Sequence, residues 1–401
     1  METRFVALAR FVAEHQALWQ VRPFAELVVP WEHDLPEIAT WLKQLPDDRV
    51  DEYWDGGFPE TDCPPLLWSL QQQAQSLCTT PLAEGPSMPT KRHPVVWYWR
   101  IKGRKLEQLQ SFTSAVLEKW PANTQRIVDW CAGKGHLGRC LAWAVDLPAT
   151  FIEFDPILAN MGAQLAKRMG VDCETVVADV LDLQTDRCLT PNRTVVALHA
   201  CGHLGDDLLL RGGRNKVAGI FWAPCCYHRT GSSGKHRYLS SIGVSHGPYL
   251  SKSALRLAIA DEVVAPDRQR RFRRREQQWR LGWDLLRRDV VGATTYESPG
   301  MLAPELVQLS FPEFCDRLAH REGWEIPAHC DWVAYERRAV DRLRETTALS
   351  LVRSLFRRSL EMLHVLDRAI TLSEMGYSVD VVRFCDRRLT PRDLLIRGVF
   401  P

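Results

Sequence analysis

The sequence predicts an α/β fold in which a mostly parallel sheet is flanked by helices, and three observations support it. Between residues 126 and 226, short apolar runs alternate with helical patterns, which is typical of consecutive βαβ units. A glycine-rich turn at residues 133–138 joins the first of these runs to the first helical pattern. Two further strand-like runs follow a long helical region at the end of the chain, in residues 376–401.

The predicted elements follow the chain in order. Apolar residues spaced three and four apart predict helices in residues 1–80, and the Pro/Gly/Ser-rich stretch 81–90 predicts a linker. The predicted organisation has five segments. They are a helical domain (1–80), a linker with a basic aromatic stretch (81–100), an α/β core (101–260), a basic helix with a helical insertion (261–375) and two terminal strands (376–401).

The core is predicted to contain five strands connected by helices. We expect strands at 126–133, 149–155, 173–179, 193–200 and 217–226, with helices at 136–145, at 156–170 and near 204–212. The last segment, SVDVVRFCDRRLTPRDLLIRGVF, reads as two strands joined by a Thr-Pro turn. We expect these two strands to complete the sheet as an antiparallel edge.

The bulk composition is that of a globular protein and restricts the partners only weakly. The chain is 45% hydrophobic and 25% charged, and its net charge of +2 gives no global reason to expect nucleic acid. Because the sequence contains no apolar run of about 18 residues and begins with an amphipathic pattern, we expect no membrane span, no signal peptide and a cytoplasmic location. The twelve cysteines are then expected to be mostly reduced thiols.

The glycine-rich turn predicts a cofactor loop. Gly133, Gly135 and Gly138 lie between a predicted strand and a predicted helix, where glycines let the backbone approach a ligand closely. Asp129 ends the preceding strand, and its carboxylate is unfavourable beside a pyrophosphate. It suits S-adenosylmethionine, which carries a positive sulfonium and a positive ammonium. A nicotinamide dinucleotide stays open as the alternative, and Lys134 mildly favours it.

Two further acids follow the next two strands. Asp155 lies 22 residues after Gly133, where a carboxylate accepts hydrogen bonds from both ribose hydroxyls, and Glu153 on the same strand is a lesser choice. Asp179 ends the third strand, and we expect it beside the adenine. Each of these acids has an alternative interpretation as the N-cap of a helix.

Four segments of the sequence resemble a known family. The segments VDWCAGKGHLGRCLA, ALHACGHLGDDLL, GIFWAPCCYH and LTPRDLLI resemble the methyltransferase-like-25 family, and they are similar to the eukaryotic tRNA 2′-O-methyltransferases that carry a Cys-Cys-His-His stretch. The resemblance implies a Rossmann-like class I methyltransferase fold that uses S-adenosylmethionine. The cofactor-binding residues expected from this resemblance and from the pattern are Asp129, Cys131, Gly133, Gly135, Asp155, Asp179 and His199.

Cysteines and histidines follow the fourth and fifth strands, in LHACGH and CCYH. Since parallel strands end at one edge of a sheet, these side chains are expected to face the methyl acceptor, with a histidine as base. The predicted catalytic residues are His199, Cys201, Cys225, Cys226 and His228. Packing of small buried thiols and a zinc site are the alternatives. The spacing argues against zinc, because adjacent cysteines rarely face the same way, so we expect no metal.

Two basic segments indicate the acceptor class. Residues 267–288 carry nine arginines against three acids, which fits either a solvated helix face or a phosphate-binding surface. Residues 91–105 interleave cations with aromatic residues, a composition that suits base stacking. We therefore expect RNA as the acceptor, with protein or small-molecule methylation and a non-catalytic RNA-binding module as alternatives. The predicted substrate-binding residues are Arg104, Lys105, Tyr227 and Arg229.

Overall fold

A seven-stranded sheet forms the centre of the fold in the computed structural model, which describes residues 1–85, 101, 103–231, 236–260 and 267–401. The aromatic stretch 91–100, in which we expected base stacking, lies outside the described residues. The strands are β1 (Arg126–Trp130), β2 (Ala149–Glu153), β3 (Cys173–Val177), β4 (Arg193–Ala197), β5 (Gly219–Trp222), β6 (Ser378–Arg383) and β7 (Leu394–Val399). Their order is β3-β2-β1-β4-β5-β7-β6, which confirms the predicted α/β fold.

The two last strands complete the sheet at one end by antiparallel pairing, which confirms the prediction. The strand β7 pairs antiparallel with both β5 and β6, so it lies inside the sheet and β6 forms the edge. The physical reason is visible in the burial of the two strands. Five of the six residues of β7 are buried, as expected for a strand covered on both faces, whereas β6 begins with exposed and half-buried residues.

Helices connect and cover the strands. Their bounds in chain order are α1 (Glu2–Glu14), α2 (Gln16–Gln20), α3 (Pro36–Gln44), α4 (Asp47–Gly56), α5 (Pro65–Cys78), α6 (Gly103–Leu117), α7 (His136–Val145), α8 (Pro156–Arg168), α9 (His203–Arg214), α10 (Ser241–His246), α11 (Lys252–Ala258), α12 (Asp267–Val291), α13 (Pro304–Gln308), α14 (Phe311–Glu322), α15 (Trp332–Ser354) and α16 (Arg357–Glu374). Short 3-10 helices lie at Pro23–Ala25, Pro30–Glu32 and Leu183–Cys188.

The chain divides into two compact units. The sheet unit contains residues 1–14, 75–264 and 357–401, and the helical unit contains residues 15–74 and 265–356. The two ends of the chain thus both belong to the sheet unit, because α1 packs on α16. The five segments predicted from the sequence do not include this division into two units. The division depends on contacts between residues that are far apart in the chain, which the sequence pattern does not reveal.

The core of the sheet unit is aromatic and aliphatic. Phe112 on α6, Phe151 on β2 and Phe221 on β5 are buried in one cluster with the apolar residues of α7. Because β1, β2, β4 and β5 are buried along almost their whole length, they read as continuous apolar runs, which is why they were predictable from the sequence.

The basic helix α12 belongs to the helical unit. Its residues Trp279, Trp283 and Leu286 are buried and form its apolar face. Many of its arginines are paired: ion pairs are formed by Arg270, Arg274, Arg280, Arg287 and Arg288. This neutralisation leaves less free charge for phosphate than the count of arginines suggests.

No helix in the described ranges has both the length and the apolar character needed to cross a membrane.

Candidate functional site

The three glycines of the loop between β1 and α7 have two different roles: two allow close packing, and one faces open space. A Cβ atom at Gly135 would lie 2.5 Å from the ring of Phe151, and one at Gly138 would lie 2.7 Å from the same ring. These two glycines therefore let α7 pack closely on β2. A Cβ atom at Gly133 would meet no atom within 4 Å, so the backbone there faces open space that a ligand can enter.

Asp129 lies under this loop and is 3% exposed. Its carboxylate accepts a hydrogen bond from the backbone N–H of Gly138 at 2.8 Å, so part of its role is to hold the first turn of α7. Burial raises the pKa of Asp129 to about 7, and the charge of Glu153 adds to this effect, while Gly138 and Lys105 oppose it. A positively charged ligand at this position relieves that cost, because it favours the ionised carboxylate.

Glu153 is placed at the loop itself. Its carboxylate accepts hydrogen bonds from the backbone N–H groups of Gly133, at 2.7 Å, and Asp155, at 3.0 Å. Asp155 instead caps α8, since its side chain accepts from the N–H groups of Ile157 and Leu158. The N-cap interpretation of Asp155 is thus present in the structure, and its contact with ribose stays a prediction. Glu153 is the acid that faces the open loop.

The remaining predicted cofactor residues lie along the same edge. Asp179 follows β3 and accepts a hydrogen bond from the N–H of Leu181 at 3.0 Å. Cys131 directly follows β1 in the left-handed region, with φ of 60°. Burial raises the pKa of the Cys131 thiol to about 12, and the negative charge of Glu153 contributes to this shift. The thiol is therefore neutral, and its role at the loop is steric.

Three thiols converge at the ends of β4 and β5. The Sγ atoms of Cys201, Cys225 and Cys226 all lie within 4.8 Å of one another, and Cys201 and Cys225 are 3.1 Å apart without a disulfide. Hydrogen bonds from Cys201 and Cys225 lower the pKa of the Cys226 thiol, and the positive charge of Arg229 contributes. The hydrogen bonds of Cys225 with Cys201 and Cys226 raise the pKa of the Cys225 thiol.

The expectation that the adjacent Cys225 and Cys226 face different ways was wrong. Cys226 has φ of 50°, a left-handed conformation that non-glycine residues seldom adopt. This turn directs the two neighbouring thiols to one point, and a parallel bridge between Cys201 and Cys225 brings in the third. The sequence carries no signal for this conformation.

His199 and Lys105 form a contact that spans 94 residues of sequence. The Nε2 atom of His199 lies 2.5 Å from the Lys105 ammonium, so the neutral ring accepts a hydrogen bond from it. Surrounding protein atoms and the charge of Lys105 lower the pKa of His199 to about 4, although the ring lies at the accessible edge of the sheet. Burial likewise lowers the pKa of Lys105, to about 8.

A cationic cavity of about 540 Å³ opens beside the thiol cluster. Its lining residues are His203, His228, Arg229, Thr230, Gly231, Lys252 and Arg256. No carboxylate lines it within the described part of the chain. His228 joins the cavity to the thiols, because it follows Cys226 by two residues and the charges of Arg229, Lys252 and Arg256 all act on its ring. Its Nδ1 atom is buried and has no hydrogen-bond partner in the structure.

A second cavity, of about 270 Å³, differs in its charge. Its buried Arg368 forms ion pairs with Asp206 and Asp367 at 2.9 Å each, so this cation is neutralised. Tyr227 also lines this cavity, but it is 1% exposed and its hydroxyl donates to Glu361 at 2.7 Å. Tyr227 does not line the cationic cavity, and its contact with the substrate stays a prediction.

The structure adds residues that the sequence did not single out. Lys252 and Arg256 belong to the cationic cavity although they lie on α11, more than twenty residues after β5. A Lys/Arg pair on a short helix carries no recognisable signal by itself. Arg104 lies at the exposed start of α6, beside Lys105.

Residues 102–232 match a family described as a methyltransferase domain. The strand order and the glycine loop followed by acids on successive strands agree with this match, so this part of the chain contains a methyltransferase domain. The glutathione S-transferase C-terminal domain-containing protein homolog of Drosophila pseudoobscura pseudoobscura is 32% identical over 126 residues, which are 31% of this chain and 20% of that protein. The chain thus spans about a fifth of the length of this relative.

Proposed function

We propose that the protein transfers a methyl group from S-adenosylmethionine to an RNA acceptor. The observation that carries this proposal is the placement of an anionic site and a cationic cavity at one edge of the sheet. The acids Asp129 and Glu153 lie at the glycine loop, and the cavity with Arg229, Lys252 and Arg256 lies beyond β4 and β5.

The residues at the loop fit S-adenosylmethionine. Asp129 and Glu153 lie on one face of the sheet, because Asp129 is in register with Phe151, two residues before Glu153. Their negative charge favours a ligand that carries a sulfonium and an ammonium and disfavours the two phosphates of a dinucleotide. Gly133 leaves open space above the loop, and the buried Nδ1 atom of His136 has no partner in the structure and is available to a polar group.

The cationic cavity supports a phosphate-bearing acceptor. Arg229, Lys252 and Arg256 have exposed side chains, and they flank His228 without a carboxylate among the described lining residues. Phosphate contacts of this kind position a nucleic acid but do not specify its sequence. The similarity of the Cys-Cys stretch to tRNA 2′-O-methyltransferases agrees with RNA as the acceptor.

The chain's own residues perform binding, orientation and proton removal. S-adenosylmethionine, when bound, supplies a methyl group that is already activated for transfer. Glu153 and Asp129 hold the cofactor side, and Arg229, Lys252 and Arg256 orient the acceptor by its phosphates. His228 lines the same cavity as these cations, and we assign its imidazole as the base that takes the acceptor proton.

A labelling experiment tests this proposal. Total RNA and protein extract are each incubated with the enzyme and S-adenosylmethionine that carries a radiolabelled methyl group. We expect label in RNA and none above background in protein. Label in protein alone refutes the RNA acceptor, and tight binding of a nicotinamide dinucleotide without binding of S-adenosylmethionine refutes the cofactor.

Removing positive charge from the cavity is predicted to weaken RNA binding. The double variant Lys252→Ala/Arg256→Ala loses two phosphate contacts, so the slope of log K against log salt concentration falls by about 2. Affinity for S-adenosylmethionine stays unchanged. The measurement is RNA binding by fluorescence anisotropy at several salt concentrations. Arg214→Ala, which removes an exposed cation at the end of α9, is the control and retains the slope. An equal loss in the control contradicts the assignment.

Cofactor affinity is predicted to depend on pH through Asp129. Its pKa of about 7 means that the carboxyl is largely protonated at pH 6 and ionised at pH 8. A cationic cofactor binds the ionised form, so affinity rises by about tenfold from pH 6 to pH 8 and is flat above that. His136 and His199, whose pKa values are lowered to about 3 and about 4, stay neutral over this range. Lys105, with its pKa lowered to about 8, stays mostly charged until the upper end of it.

Calorimetry at pH 6, 7 and 8 checks this prediction. Asp129→Asn keeps an oxygen that accepts from Gly138 but removes the titrating group, so its affinity no longer changes between pH 6 and 8. A wild-type affinity that is constant across this range contradicts the role of Asp129.

A further inference from the structure

We propose that Cys201, Cys225 and Cys226 form a binding site for a soft divalent metal ion, with zinc as the physiological ligand. Zinc is bound by cysteine thiolates at about 2.3 Å, so three ligand sulfurs around one ion lie roughly 4 Å from one another. The three Sγ atoms here lie within 4.8 Å of one another, and small side-chain rotations bring them to that spacing.

The convergence of these thiols is unusual within the chain. All twelve cysteines are free, and Cys140, for comparison, is buried among apolar residues as a packing thiol is. Among the described residues, no other cluster of cysteine, histidine and acidic side chains brings three ligand atoms this close. Packing alone gives no reason for Cys226 to adopt the left-handed φ of 50° that turns its sulfur toward the other two.

The surroundings allow a metal to enter and leave one coordination position for a further ligand. Cys225 is buried, whereas Cys201 and Cys226 are half-buried, so the cluster is accessible from one side. That side borders the cationic cavity through His228 and Arg229, which suits a site with three negative thiolates. A zinc site with three protein ligands and one open position is the arrangement that catalytic zinc uses to bind and polarise a substrate.

Binding requires that each thiol give up its proton, which passes to solvent, and it changes no oxidation state. The proposal therefore needs no oxidant or reductant. It is independent of the acceptor, because the metal content can be read without cofactor or RNA. If the protein fails to transfer methyl groups, the expected zinc content is the same. If the protein contains no zinc, the metal site is refuted and the proposed methyl transfer is not affected.

Elemental analysis of the full-length protein, expressed with zinc in the medium and purified without chelators, tests the site. We expect stoichiometric zinc in the wild-type protein and loss of nearly all of it in Cys201→Ser and in Cys226→Ser. The control is Cys173→Ser, which changes a half-buried cysteine at the amino end of β3 and keeps its zinc.

Cobalt provides a second measurement that does not depend on the folding of any variant. Co²⁺ added to metal-depleted wild-type protein is expected to give the intense thiolate-to-cobalt charge-transfer absorption, which added Zn²⁺ then abolishes. Absence of both zinc and this absorption overturns the proposal, as does equal loss of zinc in Cys173→Ser. A Cys201–Cys225 disulfide found by non-reducing mass spectrometry in metal-free protein also overturns it.

Discussion

Gly135→Ala is expected to destabilise the protein by about 3 kcal/mol, whereas Gly133→Ala at the other end of the same loop costs about 1 kcal/mol. Both residues have left-handed backbones, with φ of 60° and 56°, so both substitutions carry the same conformational cost. They differ in what the new methyl group meets. At Gly135 it lies 2.5 Å from the ring of Phe151, which is 1% exposed and has no free space to move into.

Urea unfolding measures these differences, and Gly170→Ala is the matched control. Gly170 has φ of 69°, lies at the exposed end of α8 and would meet no atom within 4 Å, so this variant isolates the conformational cost. We expect Gly170→Ala and Gly133→Ala to lose similar stability, with only Gly133→Ala also losing cofactor affinity. Equal stability of Gly135→Ala and Gly170→Ala contradicts the packing role of Gly135.

The fold was predictable because its signals are local. The helix α7 begins and ends at the residues that the helical pattern predicted, and the strands β1 to β5 lie within the predicted apolar runs. The strands β1, β2, β4 and β5 are buried at almost every position, so nearly every residue of each run is apolar, whereas the edge strand β3 is only partly buried. The position of β7 inside the sheet was not predictable in this way, since it depends on which strand the last segment pairs with.

The parts of the site that could be predicted are those that a glycine or an acid at the end of a strand identifies by itself. The acids lie at or shortly after the ends of their strands and the glycines follow β1, and the structure places them along one edge. The convergence of the thiols depends on the backbone conformation of Cys226, and the partner of Tyr227 is Glu361, 134 residues away. Neither feature leaves a periodic or spacing signal. The cationic cavity likewise joins the end of β5 to α11 across a loop.

Glu153→Gln is expected to reduce affinity for S-adenosylmethionine by about tenfold to a hundredfold, because a hydrogen bond to a charged group contributes roughly 1.5–3 kcal/mol. The Glu153 carboxylate accepts from the N–H groups of Gly133 and Asp155, and each oxygen keeps a lone pair for a ribose hydroxyl. The amide of glutamine replaces one acceptor by a donor, which faces a backbone N–H and cannot pair with it.

Asp155→Asn is the comparison that decides between the two acids. Asparagine caps helices as well as aspartate does, so α8 keeps its N-cap and the stability of the protein stays unchanged. If Glu153 holds the ribose, the affinity of Asp155→Asn for the cofactor, measured by calorimetry beside Glu153→Gln, stays within about threefold of wild type. A larger loss in Asp155→Asn than in Glu153→Gln assigns the ribose to Asp155 instead. In that case the role of Glu153 is to hold the glycine loop. Its two hydrogen bonds with backbone N–H groups require the carboxylate whether or not a ribose is present.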